Sequence, residues 1–180
     1  MAGKKYVLGE LLITREEIAA RVAELGKQIS EDYKGKELLV VGILRGSVPF
    51  MADLIREIDN PLTIDFMSVS SYGASTKTSG VVRILKDMET NIADKDVLIV
   101  EDIVDSGLTL SRLLETLQTR KPASLKVCTF LDKPAGRKVE FEPDYKGFTV
   151  DNVFIVGYGL DLDQKYRNLP HITHVIAVEE

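Results

Sequence analysis

The run Glu101-Asp102-Ile103-Val104-Asp105-Ser106-Gly107-Leu108-Thr109 sets three carboxylates within five residues, directly ahead of a turn of small residues. The turn from Ser106 to Thr109 can aim backbone N–H groups and two hydroxyls at an anion. Where such a turn opens a helix, the dipole adds positive potential, so a phosphate is held there without lysine. Carboxylates beside a phosphate repel it and must serve another purpose: accepting hydrogen bonds from sugar hydroxyls, moving a proton, or holding a divalent cation against the substrate. A phosphorylated sugar with Mg2+ meets all three demands. The alternative is a solvated loop in which Asp105 or Ser106 only caps a helix.

The elements that must position these residues follow from periodicity. Asp96–Val104 is a buried strand, and the leucines at 110, 113, 114 and 117 mark the apolar face of a helix behind the turn. Thr14 with Glu17 has capping-box spacing, and Ile18, Val22, Leu25 and Ile29 continue it as an amphipathic helix over 15–32. Residues 37–44 form an apolar run suited to a strand covered on both faces. Gly46 and Ser47 then turn the chain into a helix with Pro49 in its first turn. Residues 62–72 and 81–88 alternate as half-buried strands around a mobile loop, Gly73 to Gly80, and 124–131 is a further buried strand. Strand, helix and strand in this order predict a parallel, doubly wound α/β sheet, with ligands beyond the carboxyl ends of its strands. The remainder, with short strand-like runs and no long helix, predicts a smaller appendage.

The chain has 180 residues, 44% hydrophobic and 28% charged, with a net charge of −5. One domain over 1–180 is the economical reading, because a chain of this length buries roughly two thirds of its unfolded surface without disulfides or a structural metal. The acidic balance argues against nucleic acid as a partner. Cys128, the single cysteine, lies in an apolar run and predicts a buried thiol and a reducing cytoplasm. Glu10 interrupts the N-terminal apolar stretch, and no run approaches the ~20 apolar residues of a membrane span, so neither a signal peptide nor a membrane segment is expected.

The segment from Val97 to Leu110 resembles the signature of the type I phosphoribosyltransferases, and the resemblance extends over nearly the whole chain to the 6-oxopurine branch of that family. Independent motifs carry it: Leu44-Arg45-Gly46-Ser47, Ser71-Tyr72-Gly73, Leu131-Asp132-Lys133, Val153 to Asp161, and Tyr166-Arg167-Asn168-Leu169. The resemblance implies a central, mostly parallel sheet flanked by helices. It also implies a small hood formed by about 133–170 and the N-terminal residues. The implied reaction is purine salvage: transfer of the phosphoribosyl group from 5-phosphoribosyl-1-pyrophosphate to N9 of hypoxanthine and guanine, giving IMP or GMP and pyrophosphate with Mg2+. Glu101 and Asp102 would hydrogen-bond the ribose hydroxyls, and Asp105, Ser106, Gly107, Leu108 and Thr109 would enclose the 5′-phosphate. Asp105 would also face N7 of the purine and handle its proton. Leu44, Arg45 and Gly46 match the pyrophosphate loop, with a cis peptide at the first junction and Arg45 where many relatives carry Lys. Lys133 would donate to the 6-oxo oxygen, and Phe154, followed by Ile155, would stack on the base. Asp161 would join Glu101 and Asp102 on the metal side. Arg167 would contact pyrophosphate, and Ser71 and Tyr72 would begin a loop closing over the sugar. Relatives form homodimers or homotetramers, so a homo-oligomer is expected.

Other classes lack their residues. There is no Walker A pattern, Gly157-Tyr158-Gly159 lacks the third glycine of a dinucleotide fingerprint, and no G-x-S-x-G elbow occurs. His171 and His174, the only histidines, have no cysteine pair to complete a zinc site. Two rivals remain: a xanthine-preferring enzyme, and a non-catalytic regulator of the same fold, which would have no need of Lys133, Phe154 and Asp161.

Overall fold

The computed structural model describes residues 5–71 and 82–178. Thr14 and Glu17 satisfy each other's backbone N–H groups at 2.7 and 3.1 Å, closing the expected capping box. After β1 (Lys5–Ile13), that cap starts α1 (Arg15–Asp32), which buries Ile18, Val22, Leu25 and Ile29. β2 (Leu38–Leu44) leads into α2 (Val48–Leu54), and β3 (Leu62–Ser71) precedes β4 (Val82–Lys86). β5 (Asp96–Val104), α3 (Leu108–Gln118) and β6 (Ser124–Asp132) complete the repeated strand-helix-strand pattern. Three shorter strands follow: β7 (Tyr145–Thr149), β8 (Ile155–Val156) and β9 (Ile172–Val178).

The main sheet has the order β4-β3-β2-β5-β6-β7, parallel throughout except for β4 against β3. Its unbroken apolar strands have a simple cause, since both faces are covered. Leu38, Val40, Leu98, Val100, Cys128 and Phe130 pack with α1 and α2, whereas Leu39, Val41, Val97, Ile99 and Val127 pack with Leu110, Leu113 and Leu117 of α3. Each such side chain fully buried contributes about 1.5–3 kcal/mol. Cys128 is inaccessible, and burial pushes its thiol far above the ordinary cysteine range, so it is a core residue.

A second sheet, β1-β9-β8, is antiparallel and stands beside the first. The segment expected to form the hood, about 133–170, is shared between the two sheets: Tyr145–Thr149 pairs with β6, and only Ile155–Val156 joins the small sheet. The small sheet is otherwise built from the N-terminal strand and from Ile172–Val178, beyond the expected boundary. Ile13, Ile155, Tyr158, Leu160 and Ile172 share one apolar cluster with α1 and α2, so the two sheets have a continuous core. Among the described residues no helix is long and apolar enough to cross a membrane.

Candidate active site

β5 lies between β2 and β6, and its carboxyl end presents the acidic run at the centre of the sheet edge. Glu101 and Asp102 line the floor of a crevice of about 290 Å3, together with Leu44, Asp105, Ser106, Gly107 and Thr109. Burial holds the Glu101 carboxyl well above the usual carboxylate range, and the charge of Asp102 adds to this. Asp102 is also raised by burial, opposed by the N–H of Ile103, which donates to its Oδ1 at 2.7 Å, and by the charge of Arg167. The pair is short of positive charge. Gly46, from the loop after β2, lies against Asp102, where a Cβ would fall 1.5 Å from Oδ2, so no larger residue fits without moving the carboxylate.

At the mouth of the same crevice Gly107 adopts φ +76° as the N-cap of α3, whose first turn carries no acidic side chain. The first-turn N–H groups of a helix have no intrahelical acceptor, and here they open toward the crevice beside the Ser106 and Thr109 hydroxyls. Leu108 is exposed, and its N–H reaches Ser106 Oγ only at 3.4 Å. This is an anion site made of backbone.

A second crevice, about 240 Å3, adjoins the first and shares Asp102, Ile103 and Asp105 with it. Lys133, Phe154, Ile155, Leu160 and Asp161 complete its walls. Lys133 follows β6 and is only 8% exposed, which sets aside a solvated surface lysine. Its Nζ donates to Val153 O at 3.0 Å and stands 3.8 Å from Asp105 Oδ2. An ammonium has three donors, and only Val153 O takes one at hydrogen-bond distance, so two remain toward the crevice and the Asp105 carboxylate. Phe154 is 50% exposed, so its ring forms a wall of the crevice and takes no part in core packing. Ile155 is buried and joins the core beneath.

The Leu44–Arg45 peptide is cis, as the resemblance implies. The Arg45 guanidinium donates to Gln164 Oε1 at 3.1 Å, and Arg167 reaches the same oxygen at 3.2 Å. Arg167 also pairs with Asp161 Oδ1 at 2.8 Å and donates to Gly159 O at 2.6 Å. The other Asp161 oxygen accepts the Gln164 N–H at 2.8 Å. Asp161 is thereby held by its own loop, and the three carboxylates expected on the metal side do not converge. Among the described residues no three His, Cys, Asp or Glu side chains are gathered to hold an ion. Glu101 and Asp102 alone still fit Mg2+, a hard cation that takes one or two carboxylates and completes its shell with substrate oxygens.

Of the residues singled out in the sequence, those of the signature, Lys133, Phe154 and Asp161 come together around the two crevices, with Arg45 and Arg167 at the rim. Ser71 ends β3, and Tyr72 and the loop Gly73 to Gly80 lie outside the described residues. Two contributors went unread, Gln164 and Arg137, and a third, Ser47, was read only as part of the turn after Arg45. Gln164 sits in a loop whose backbone takes positive φ at Asp163, Gln164 and Tyr166, a fold-back with no motif signal. Ser47 is buried and donates to Ile43 O at 2.6 Å, closing the Arg45 turn; its place after Gly46 was the available hint. Arg137 donates to the Asp105 carbonyl from a turn 32 residues away.

Residues 11–163 match the phosphoribosyl transferase domain. The chain is 51% identical over 168 residues to a hypoxanthine-guanine phosphoribosyltransferase of Bacillus subtilis, covering 93% of each. A hypoxanthine phosphoribosyltransferase of Salmonella typhimurium is 51% identical over 173 residues, covering 95% of this chain and 97% of the relative. Among solved structures, a hypoxanthine-guanine phosphoribosyltransferase from Bacillus anthracis superposes with a TM-score of 0.90 at 48% identity, over 96% of this chain and 99% of that one. A hypoxanthine phosphoribosyltransferase from Staphylococcus aureus gives 0.91 at 50% identity, over 94% and 92%.

Proposed function

The chain belongs to the phosphoribosyl transferase family, and from that premise we infer a purine-salvage enzyme that transfers the 5-phosphoribosyl group from 5-phosphoribosyl-1-pyrophosphate to N9 of hypoxanthine and guanine. The observation that carries the base assignment is the nearly buried Lys133 ammonium, with donors left over, lining together with the exposed Phe154 ring a crevice that shares Asp105 with the anion site. A 6-oxo oxygen accepts from that donor, whereas the 6-amino group of adenine meets it donor against donor.

The roles follow from position. The α3 N-terminus with Ser106 and Thr109 binds the 5′-phosphate, and Glu101 with Asp102 accepts hydrogen bonds from the ribose hydroxyls. Phe154 stacks on the purine. Asp105, the carboxylate common to both crevices, takes the proton of N7 as the base becomes attached. The backbone of Leu44, Arg45 and Gly46 faces the pyrophosphate, with Arg45 and Arg167 held at the rim by Gln164 to offset its charge. By the resemblance, Ser71 and Tyr72, the latter outside the described residues, would begin the segment that closes over the sugar and keeps water from the oxocarbenium-like centre. Glu101 or Asp102 would hold Mg2+, which would supply positive charge against the departing pyrophosphate. A cytoplasmic homodimer or homotetramer belongs to the same reading, with exposed Val48 beside the Arg45 loop as an apolar contact point.

A product assay tests the reading. The sugar pyrophosphate and Mg2+ are offered with hypoxanthine, guanine, xanthine, adenine or uracil separately, and nucleotides are resolved chromatographically. Equal yields of IMP and pyrophosphate, abolished by chelation, are expected; xanthine preference, or bound sugar pyrophosphate with no nucleotide from any base, would replace the reading with the corresponding rival.

A further inference from the structure

We infer that Arg137 is a positioning residue that sets the spacing between Asp105 and Lys133, a role that rests on the reading of those two side chains given above. Arg137 lies in the turn after β6 and reaches back across the crevice wall. One guanidinium nitrogen, Nη1, donates to the Asp105 carbonyl at 2.8 Å, and the other, Nη2, pairs with Asp132 Oδ1. Asp132 is 1% exposed and is the last residue of β6, immediately before Lys133. The two nitrogens therefore tie the backbone of the proton-handling residue to the side chain next to the base-recognition residue.

The surrounding contacts run the same way. Lys133 N donates to Val104 O and Lys138 N to Ser106 O, each at 2.9 Å, so the turn brackets Asp105 on both sides. Gly136 lies against the carboxylate itself, where a Cβ would fall 1.8 Å from Asp105 Oδ1. Lys146 Nζ stands 3.8 Å from the second Asp132 oxygen, and the Phe141 ring covers the guanidinium at 5.8 Å. A buried ion pair is weak support for stability, because desolvation offsets its Coulomb attraction. Two parallel donors in a rigid plane, however, fix one geometry, and lysine cannot reproduce that with a single nitrogen. N7 and the 6-oxo oxygen of a purine are at a fixed separation, so the carboxylate and ammonium that meet them need a fixed separation too.

Arg137→Lys separates positioning from folding. It keeps a cation beside buried Asp132, which holds the fold, and gives up the bridge to the Asp105 carbonyl. The expected result is a melting temperature close to wild type and a kcat lower by roughly tenfold or more. Preference for hypoxanthine over adenine should be reduced, with KM for the sugar pyrophosphate within about threefold. Wild-type kcat and base preference in folded Arg137→Lys would overturn the inference. So would a parallel loss of melting temperature, kcat and sugar-pyrophosphate KM, which marks a purely structural residue. If Arg137→Lys does not fold, Arg137→Gln keeps a neutral donor at the position while giving up the fork that joins the Asp105 carbonyl to Asp132. The same split of kcat from KM is expected there, and an unchanged kcat overturns the inference. Wild type run alongside keeps the two readings apart: an inactive wild type removes the enzyme assignment, whereas an active wild type with indifferent variants removes only the role of Arg137.

Discussion

At the scale of single residues, the site is defined by side chains whose surroundings differ from those of their type elsewhere. A lysine after a strand is ordinarily solvated; Lys133 is nearly buried, donating to Val153 O with the Asp105 carboxylate 3.8 Å away. Lys133→Gln replaces the charged donor with an amide that both donates and accepts. A hydrogen bond to a charged group contributes about 1.5–3 kcal/mol, so kcat/KM for hypoxanthine should fall about 10- to 100-fold while adenine, whose amino group now finds an acceptor, loses less. Steady-state rates on the two bases check this, and an unchanged hypoxanthine-to-adenine ratio would remove the 6-oxo contact. Glu101 gives a pH dependence. Its carboxyl is raised in the fold, so the native state binds the proton more tightly than the unfolded chain. The stability associated with it is therefore fully present below the ordinary glutamate value of 4.5 and is lost as pH rises through the folded-state value. Glu101→Gln removes that loss. Without ligand, the variant should melt above wild type at pH 8, and the gap should close near pH 4; a gap independent of pH would place the Glu101 carboxyl in the ordinary range.

At the scale of elements, the hood loop and α2 are joined by one hydrogen bond. Tyr158 Oη donates to Asp53 Oδ2 at 2.6 Å, and its backbone N–H donates to Leu169 O, so the loop carrying Asp161 and Arg167 is anchored behind the Arg45 turn. Burial and the Asp53 carboxylate hold the Tyr158 hydroxyl above the ordinary tyrosine range, and it remains a donor at any physiological pH. Asp53 keeps Arg56 and solvent when the hydroxyl is removed, which limits the cost of Tyr158→Phe to about 1 kcal/mol. For a chain of this size that corresponds to a fall of about 2–4 °C in Tm. Differential scanning calorimetry measures it, and no fall would show the anchor to be idle. Elements of this kind were legible in the sequence only where their cause is local. The Thr14–Glu17 box located α1, and two-sided burial made β2 and residues 97–100 of β5 continuous apolar runs. β1 was not legible as a strand, because Lys5 pairs with Val178 and Tyr6 with Ala177, contacts that no periodicity over neighbouring residues encodes. Arg137 and Gln164 escaped for the same reason, each acquiring its partners only when a turn folds back onto a distant loop.

At the scale of the whole molecule, the question is whether the small sheet is a separate body or part of one folding unit. Its strands come from both ends of the chain, and β1 pairs with β9 along most of its length. Their pairing brings the two ends of the chain together. Ile13, Ile155 and Ile172 pack in the cluster that also holds Ile18, Val22 and Phe50, so opening the small sheet exposes the face of the main sheet covered by α1 and α2. Loss of one sheet therefore destabilises the other, which is the condition for a single cooperative transition. The chain has no tryptophan, so Phe154→Trp introduces a reporter at the hood rim that keeps an aromatic wall. In urea, its fluorescence and the far-ultraviolet circular dichroism of the whole chain should trace one midpoint. A saturating nucleotide product at about 100 times its Kd should move both probes together, by about 2.7 kcal/mol. Two midpoints, or a ligand shift confined to the fluorescence, would divide the chain into two units and make the base crevice a boundary between them. A single shared midpoint makes the crevice an internal feature of one core. In that case the spacing of Lys133, Asp105 and Phe154 depends on the packing of the whole chain as well as on the local tie through Arg137, and substitutions deep in the shared cluster should alter base affinity without touching the base.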